Sequence, residues 1–409
     1  MKHVGFICLF PLLLSAGNLA DLLELASKNK SVEASTYTLD AAKAKESSIK
    51  SGYLPSITLG GNATYNEIET MLAPEKSRTG YAKASFTIYD GGKREALFEQ
   101  QQALVNSASY SLSSTKNNVS LNVIYGYYSY LSTLASKEAT LQKLEQLNAE
   151  RYRLEKFLQV GGATGDEVQK IISSIEQTKV DLLNLDNTLN NTLNTLEYLT
   201  GTRVNVEAGS TIRLQEEGSH DTTRLDILAL EESVRSSEAE AKAAKSLFLP
   251  TVTLEDTYSR FKYQYANHIY DTDQDYQNTV QLGFQWKVFD FGSTASSYES
   301  ARYAYLSKNS ELAYEKNKAS ASLKSAQNSY KSALAKIEAS EARLKASDMT
   351  YELVKKKFQQ GIVNNVSYLD ALSDKYNAQS GLQAARYDAQ YQKAVLLYEM
   401  GKEIKGAIQ

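Results

Sequence analysis

Two modes of hydrophobic patterning alternate along this chain, and the alternation happens twice. From Asp21 to Ser51 the pattern is helical and rich in Ala, Ser and Lys, and Pro55 stops it. Residues 53–66 then follow a period of two. Ile57, Leu59, Ala63 and Tyr65 fall on one face, with Ser56, Thr58, Asn62, Thr64 and Asn66 on the other. A polar loop with Pro74 follows, and alternation returns over 80–90, with Ala82, Ala84, Phe86 and Ile88 against Lys83, Ser85 and Thr87. After Asp90-Gly91-Gly92 the chain runs from Lys93 to Val160 with no proline and one glycine, Gly126. A helix of that length would reach on the order of 100 Å. Val160-Gly161-Gly162 breaks it, a second helical run ends near Leu199, and residues 201–220 are polar and irregular.

The second half repeats the plan. A helix over 222–247, capped by Thr222 or Thr223, ends at Pro250. A strand over 251–263 carries Asp256 and Arg260 on its otherwise apolar face. A strand over 278–289 sets Val280, Leu282, Phe284, Trp286 and Val288 against Thr279, Gln281, Gln285 and Lys287. From Ser293 to Gln360 there is neither Gly nor Pro, Gly361 breaks the run, and a last helix reaches about Met400. Two phrases mark the duplication: Tyr53-Leu54-Pro55-Ser56-Ile57-Thr58-Leu59 and Phe248-Leu249-Pro250-Thr251-Val252-Thr253-Leu254. Each precedes an aromatic-Asp-x-Gly turn, at Asp90/Gly92 and Asp290/Gly292. The chain has only four prolines, and Pro55 and Pro250 hold equivalent helix-to-strand positions.

Composition narrows the address. The 409 residues carry a formal charge of −3, which leaves no basic stripe for nucleic acid. No internal run reaches the roughly 18 apolar residues of a membrane helix. The strongly apolar run is at the start, where Lys2 precedes Val4 to Leu14 and then Ser15-Ala16-Gly17. That order reads as a secretory signal peptide, 1–17, cleaved near Gly17 or at Ala16 or Ala20. Cys8 lies inside it, too early for a lipid anchor, so neither anchor nor disulfide is expected.

Four half-apolar strands rich in Tyr and Trp, in a chain sent to the envelope, fit an outer-membrane barrel. A small soluble sheet packed on helices is the alternative. A lipid-exposed sheet must close, and about eight strands is the practical minimum, so the chain must oligomerise as a dimer or a trimer. The long helices are only weakly hydrophobic, as in Ala319-Ser320-Ala321-Ser322, and lack sustained Leu heptads. They suit the wall of a water-filled cylinder better than a dry coiled coil.

With these features the chain resembles the TolC-like outer-membrane efflux proteins over nearly all of its mature length. The paired Leu-Pro phrases, the Asp-x-Gly turns, Arg224-Leu225-Asp226-Ile227 and the two hairpin tips carry the resemblance. It implies a mainly α fold with β: long helical hairpins forming a trimeric α-barrel, and four strands per chain in a shared twelve-stranded transmembrane barrel. It implies two tandem repeats, 18–220 with hairpin 93–199 and an equatorial segment 200–220, and 221–409 with hairpin 293–400. It further implies a homotrimer in outer-membrane lipid that extends into the periplasm. This would be the passive exit duct of a tripartite efflux or type I secretion system, served by a periplasmic adaptor and an inner-membrane pump of RND or ABC type. The adaptor would grip the tips, Val160, Gly161 and Gly162 in one hairpin and Gln360, Gly361 and Ile362 in the other. Family members narrow the periplasmic mouth with two Asp three residues apart; the matching positions here are Ser367 and Asp370, so one acid of the pair is missing. Asp166 and Glu167 hold the corresponding place in the first hairpin. A ring of Asp370 carboxylates would favour cations; the plainer reading is a solvated Asp near a helix start.

No enzyme, cofactor or metal chemistry is expected. His3, His220 and His268 lack metal-ligand spacing. Asp271-Thr272-Asp273-Gln274-Asp275 imitates a calcium loop, but Tyr276 stands for the required Gly and Leu282 for the Glu. A periplasmic structural or adaptor coiled-coil protein is the rival reading; it should have one hairpin between compact β-domains rather than two hairpins and two strand pairs.

Overall fold

The computed structural model describes residues 15–214, 223–266 and 274–409. His3, Cys8, His220, Thr222, His268 and residues 271–273 lie outside the described residues. In chain order the elements are β1 Ser15–Gly17, α1 Leu19–Ala26, α2 Lys30–Gly52, β2 Ser56–Tyr65, β3 Lys76–Tyr89, α3 Lys93–Gln159, α4 Gly165–Thr200 and β4 Val204–Val206. The second half gives α5 Leu225–Lys245, β5 Thr251–Gln264, β6 Tyr276–Gln285, α6 Ser293–Gln359 and α7 Asn365–Glu399. The halves match in scale: α3 and α6 each have 67 residues, α4 has 36 and α7 has 35.

Contacts group the chain into two units, each drawing on both halves: one from 1–34, 112–225 and 317–409, the other from 35–111 and 226–316. The first unit has two apolar centres. One gathers Leu19, Leu22 and Leu23 of α1, Val123, Ile124 and Tyr127 of α3, Leu196 of α4, Ile212, Leu397 and Ile404. β1 pairs in parallel with β4 there, and Tyr127 Oη donates to the Glu207 carbonyl at 2.7 Å. The other centre gathers Leu147, Leu154, Ile171, Ile175, Tyr351, Phe358, Tyr368 and Leu372 near the hairpin tips.

The second unit contains one four-stranded antiparallel sheet in the order β2-β3-β5-β6, so the two halves share a sheet through the β3–β5 ladder. Register aligns Ile57 with Ala84, Ala84 with Asp256 and Asp256 with Val280, and likewise Phe86 with Leu254 and Leu254 with Leu282. Directly opposed residues share a face, so the alternation read along each strand becomes one apolar face across all four.

Several boundaries differ from the sequence reading. The expected single helix from Asp21 to Ser51 is two helices. Asn29 interrupts it: its side chain donates to the Leu199 carbonyl at 2.7 Å and accepts from the Ser31 amide at 2.8 Å, starting α2 afresh. The strand expected over 53–66 begins at Ser56, because Tyr53 N still closes the helix onto Lys50 O. β3 starts at Lys76 rather than 80, since its ladder with β5 runs on to Gln264. The strand expected over 278–289 is shifted to Tyr276–Gln285. Gln285 already faces Thr251, the first residue of β5, and Trp286 Nε1 turns back to the Phe248 carbonyl at 3.0 Å.

The two helix–strand junctions repeat with exchanged aromatics. Tyr53 packs edge-on to Phe98, and Phe248 edge-on to Tyr298, with ring centroids 5.6 and 6.3 Å apart. Position 91 and its counterpart 291 both adopt left-handed backbone, φ 71° at Gly91 and 54° at Phe291. A Cβ at Gly91 would stand 2.8 Å from Leu249 Cβ and from Ser246 O, whereas Phe291 is 93% exposed. Gly91→Ala is therefore expected to cost about 2 kcal/mol or more, from left-handed strain and the clash together. Phe291→Gly should change stability by less than about 1 kcal/mol, because relief of that strain is offset by chain entropy. Urea midpoints of the two variants check the contrast.

Candidate functional site

At the hairpin tips, the turns between α3 and α4 and between α6 and α7 are built alike. Gly161 and Gly361 take positive φ, 76° and 71°, as helix C-terminal turns require. Gly162 N closes on Phe157 O at 2.8 Å and Ile362 N on Lys357 O at 2.9 Å. Val160 is 79% exposed and Ile362 66%, so each tip presents an aliphatic side chain to solvent beside Gly162 and Gln360. Arg153 ties the hairpins together. Its guanidinium forks onto Glu150 at 2.7–3.0 Å and lies 5.3 Å from the Phe157 ring centre and 4.6 Å from that of Phe358. Phe358 stacks on Tyr368 of α7 at 4.8 Å, and burial pushes the Tyr368 hydroxyl pKa well up. Arg153, Phe157 and Phe358 rim a cleft of about 620 Å³ that includes Ala163, Glu167 and residues 359–364.

The acids expected at the mouth divide into two kinds. Glu167 is held by the first turn of α4, its carboxylate accepting from the Thr164 amide at 2.9 Å in a capping box. Asp166 pairs with Lys170 at 3.2 Å, and hydrogen bonds from Thr164 and Lys170 hold its carboxyl below the usual range. Ser367 is likewise part of a cap, its amide and hydroxyl each 3.0 Å from Asn364 Oδ1. Asp370 is exposed on α7, and among the described residues none forms an ion pair or hydrogen bond with its carboxylate. Asp374 is exposed in the same way, one turn further on. A spacing of four residues places Asp370 and Asp374 on one helix face. Asn365, 1% exposed, donates to the Glu167 carbonyl at 3.1 Å and joins the first turns of α4 and α7.

On the sheet, Pro55 and Pro250 stand immediately before β2 and β5. The apolar face is open: Ile57 and Leu59 are 78% exposed, and Val280, Leu282 and Phe284 are 66–68% exposed. Asp256 sits within it, and Asn278, turned with its amide nitrogen toward Asp256, donates to the carboxylate at 2.8 Å. The opposite face is polar, with Lys83 bonded to Glu255 at 3.1 Å. β2 and β6 each have one unpaired edge. Among the described residues no helix is long and apolar enough to cross a membrane.

An open, half-apolar sheet joined to very long helices defines a channel-type envelope protein. The chain belongs to the outer membrane efflux protein family, whose signature matches residues 22–202 and 222–401, once in each half. It is 24% identical over 408 residues to the outer membrane protein TolC of Escherichia coli (strain K12), covering 93% of this chain and 81% of that one. Among solved structures, the outer membrane protein VceC of Vibrio cholerae superposes with a TM-score of 0.85 at 17% identity, over 94% of this chain and 96% of that one. The Campylobacter jejuni CmeC outer membrane channel gives 0.83 at 16% identity, over 94% and 85%. The chain is thus an outer-membrane efflux channel that extends into the periplasm, and the adaptor-like alternative is set aside. Members of the family are channel proteins.

Proposed function

We propose that three copies close one twelve-stranded barrel in the outer membrane, and that their helical hairpins form a periplasmic tunnel docked to an adaptor and an inner-membrane pump. The observation that carries this is the four-stranded sheet, apolar and exposed on one face and unpaired at both edges. Hydrocarbon cannot satisfy open edges, and about eight strands are the minimum for closure, so β2 of one copy must pair with β6 of the next. Native mass spectrometry of the detergent-extracted protein should give a mass of three chains; a single chain would overturn the reading.

Asp370 supplies the constriction at the periplasmic mouth, and Asp374 a second ring one turn away, in place of the acid absent at Ser367. Glu167 shapes the mouth through its cap and Asp166 through its pair with Lys170, rather than by facing the ions. The exposed tips, Val160 to Gly162 and Gln360 to Ile362, offer the adaptor an apolar foothold. Reversal potentials under a KCl gradient test the rings. Asp370→Asn with Asp374→Asn should lower the cation preference several-fold, while Asp166→Asn leaves it unchanged. Equal selectivity in all three proteins would contradict the assignment.

For the leader, expected from the sequence as 1–17, we infer a cut one residue earlier, after Ala16, although this removes Ser15 and Ala16 of the β1 ladder. Cleavage there keeps the Gly17 carbonyl that accepts from Glu207 N, and the Asn18 side chain that caps α1. Cleavage after Ala20 would remove Leu19, which is fully buried.

A further inference from the structure

The apolar face of the sheet ends abruptly at its loop end in a group of cations. Along the face shared by Leu254, Tyr258 and Ala82, the next positions are Arg260, Lys262, Arg78 and Lys76. Register sets Arg78 directly opposite Lys262, with Gly80 facing Arg260 and Lys76 facing Gln264. Like charges directly opposed weaken an antiparallel pair. Arg260 has Asp275 at 3.6 Å and Lys76 has Glu75 at 3.6 Å. Arg78 and Lys262 are both exposed, and no carboxylate among the described residues pairs with either. The polar face handles its charge differently, with Lys83 neutralised by Glu255.

Height along the barrel identifies what neutralises the pair. From Val252 to Lys262 is ten residues. At ~3.3 Å per residue and a tilt of ~40° that rises about 25 Å, the height of the lipid-facing band of such barrels. The helices join the sheet at its other end, through Pro55, Asp90, Pro250 and Asp290, so the cations stand at headgroup level in the outer leaflet. A guanidinium fork beside an ammonium suits a phosphate group.

We propose that Arg78 and Lys262, flanked by Arg260 and Lys76, bind the phosphate of an anionic lipid in the outer leaflet. This rests on the outer-membrane reading, and conductance of each protein is measured in parallel, so loss of the lipid site and loss of the channel are told apart. The test is native mass spectrometry from mixed micelles holding equal phosphatidylglycerol and phosphatidylcholine with identical acyl chains. The native protein should retain phosphatidylglycerol in preference. Arg78→Gln with Lys262→Gln should reduce that preference about 25-fold, taking about fivefold per charge near a headgroup, while conductance is kept. Lys83→Gln on the polar face should leave the preference intact. Equal retention of the two lipids by the native protein, or an unchanged preference in the double variant, overturns the proposal. If the double variant does not assemble, Lys262→Gln alone is read in the same way, with about a fivefold loss expected.

Discussion

Replacing Leu282 by Arg is expected to abolish insertion into the outer membrane. Leu282 lies on the exposed apolar face opposite Leu254. An Arg near the middle of a lipid-facing band costs about 2–4 kcal/mol. In the proposed closed trimer the same substitution would occur three times over, so the summed cost of about 6–12 kcal/mol would rival the whole stability of an ordinary folded domain. The neighbouring position supplies the control. Gln281 projects to the other face, opposite Glu255, so Gln281→Arg places its charge beside a carboxylate. Membrane fractionation and heat resistance of the oligomer should show Leu282→Arg lost from the outer membrane and Gln281→Arg retained. Equal behaviour of the two would mean that the apolar face does not meet lipid.

The second large effect is expected at the tips. Ile171 of α4 and Leu372 of α7 are both fully buried in the cluster that holds the two hairpins together. Each truncation to Ala should cost about 2–5 kcal/mol through lost burial and the cavity left behind. The residues share one cluster, so the double variant should fall short of the sum. Hydrogen exchange localises the effect: residues 160–175 and 360–375 should lose protection while the sheet keeps its own. Uniform loss across the chain would show that the tips are not an independently stabilised centre.

What the sequence revealed depended on how local each cause was. Strand faces were legible because a period of two is written residue by residue, from Ile57 to Tyr65 and from Val280 to Phe284. Helix ends were legible where Pro55, Gly161, Pro250 and Gly361 break the backbone outright. Features set by distant partners were not. The break at Asn29 depends on Leu199 O, and the early end of β6 depends on where β5 begins. The exchange of Tyr53–Phe98 for Phe248–Tyr298 is visible only once the start of each long helix is packed on its junction. At the mouth, Asp370 is picked out by its place in a motif that the resemblance supplies, whereas the caps that engage Glu167 and Ser367 are set by local turn geometry that the motif does not describe. That Asp374 is exposed is visible only once the packing of α7 is known.

The same contrast explains why the charged positions of β5 matter. Asp256 and Arg260 look alike in sequence, both interrupting an apolar face. Asp256 falls inside the band and is answered by Asn278, while Arg260 falls at its edge, among the other cations.

The most direct measurement is a planar-bilayer recording of the purified protein. The proposed trimeric channel should produce discrete, stable conductance steps with a preference for cations that falls when Asp370 and Asp374 are neutralised. Absence of any steps from folded protein, with the native chain and with the neutralised variant alike, would contradict a channel.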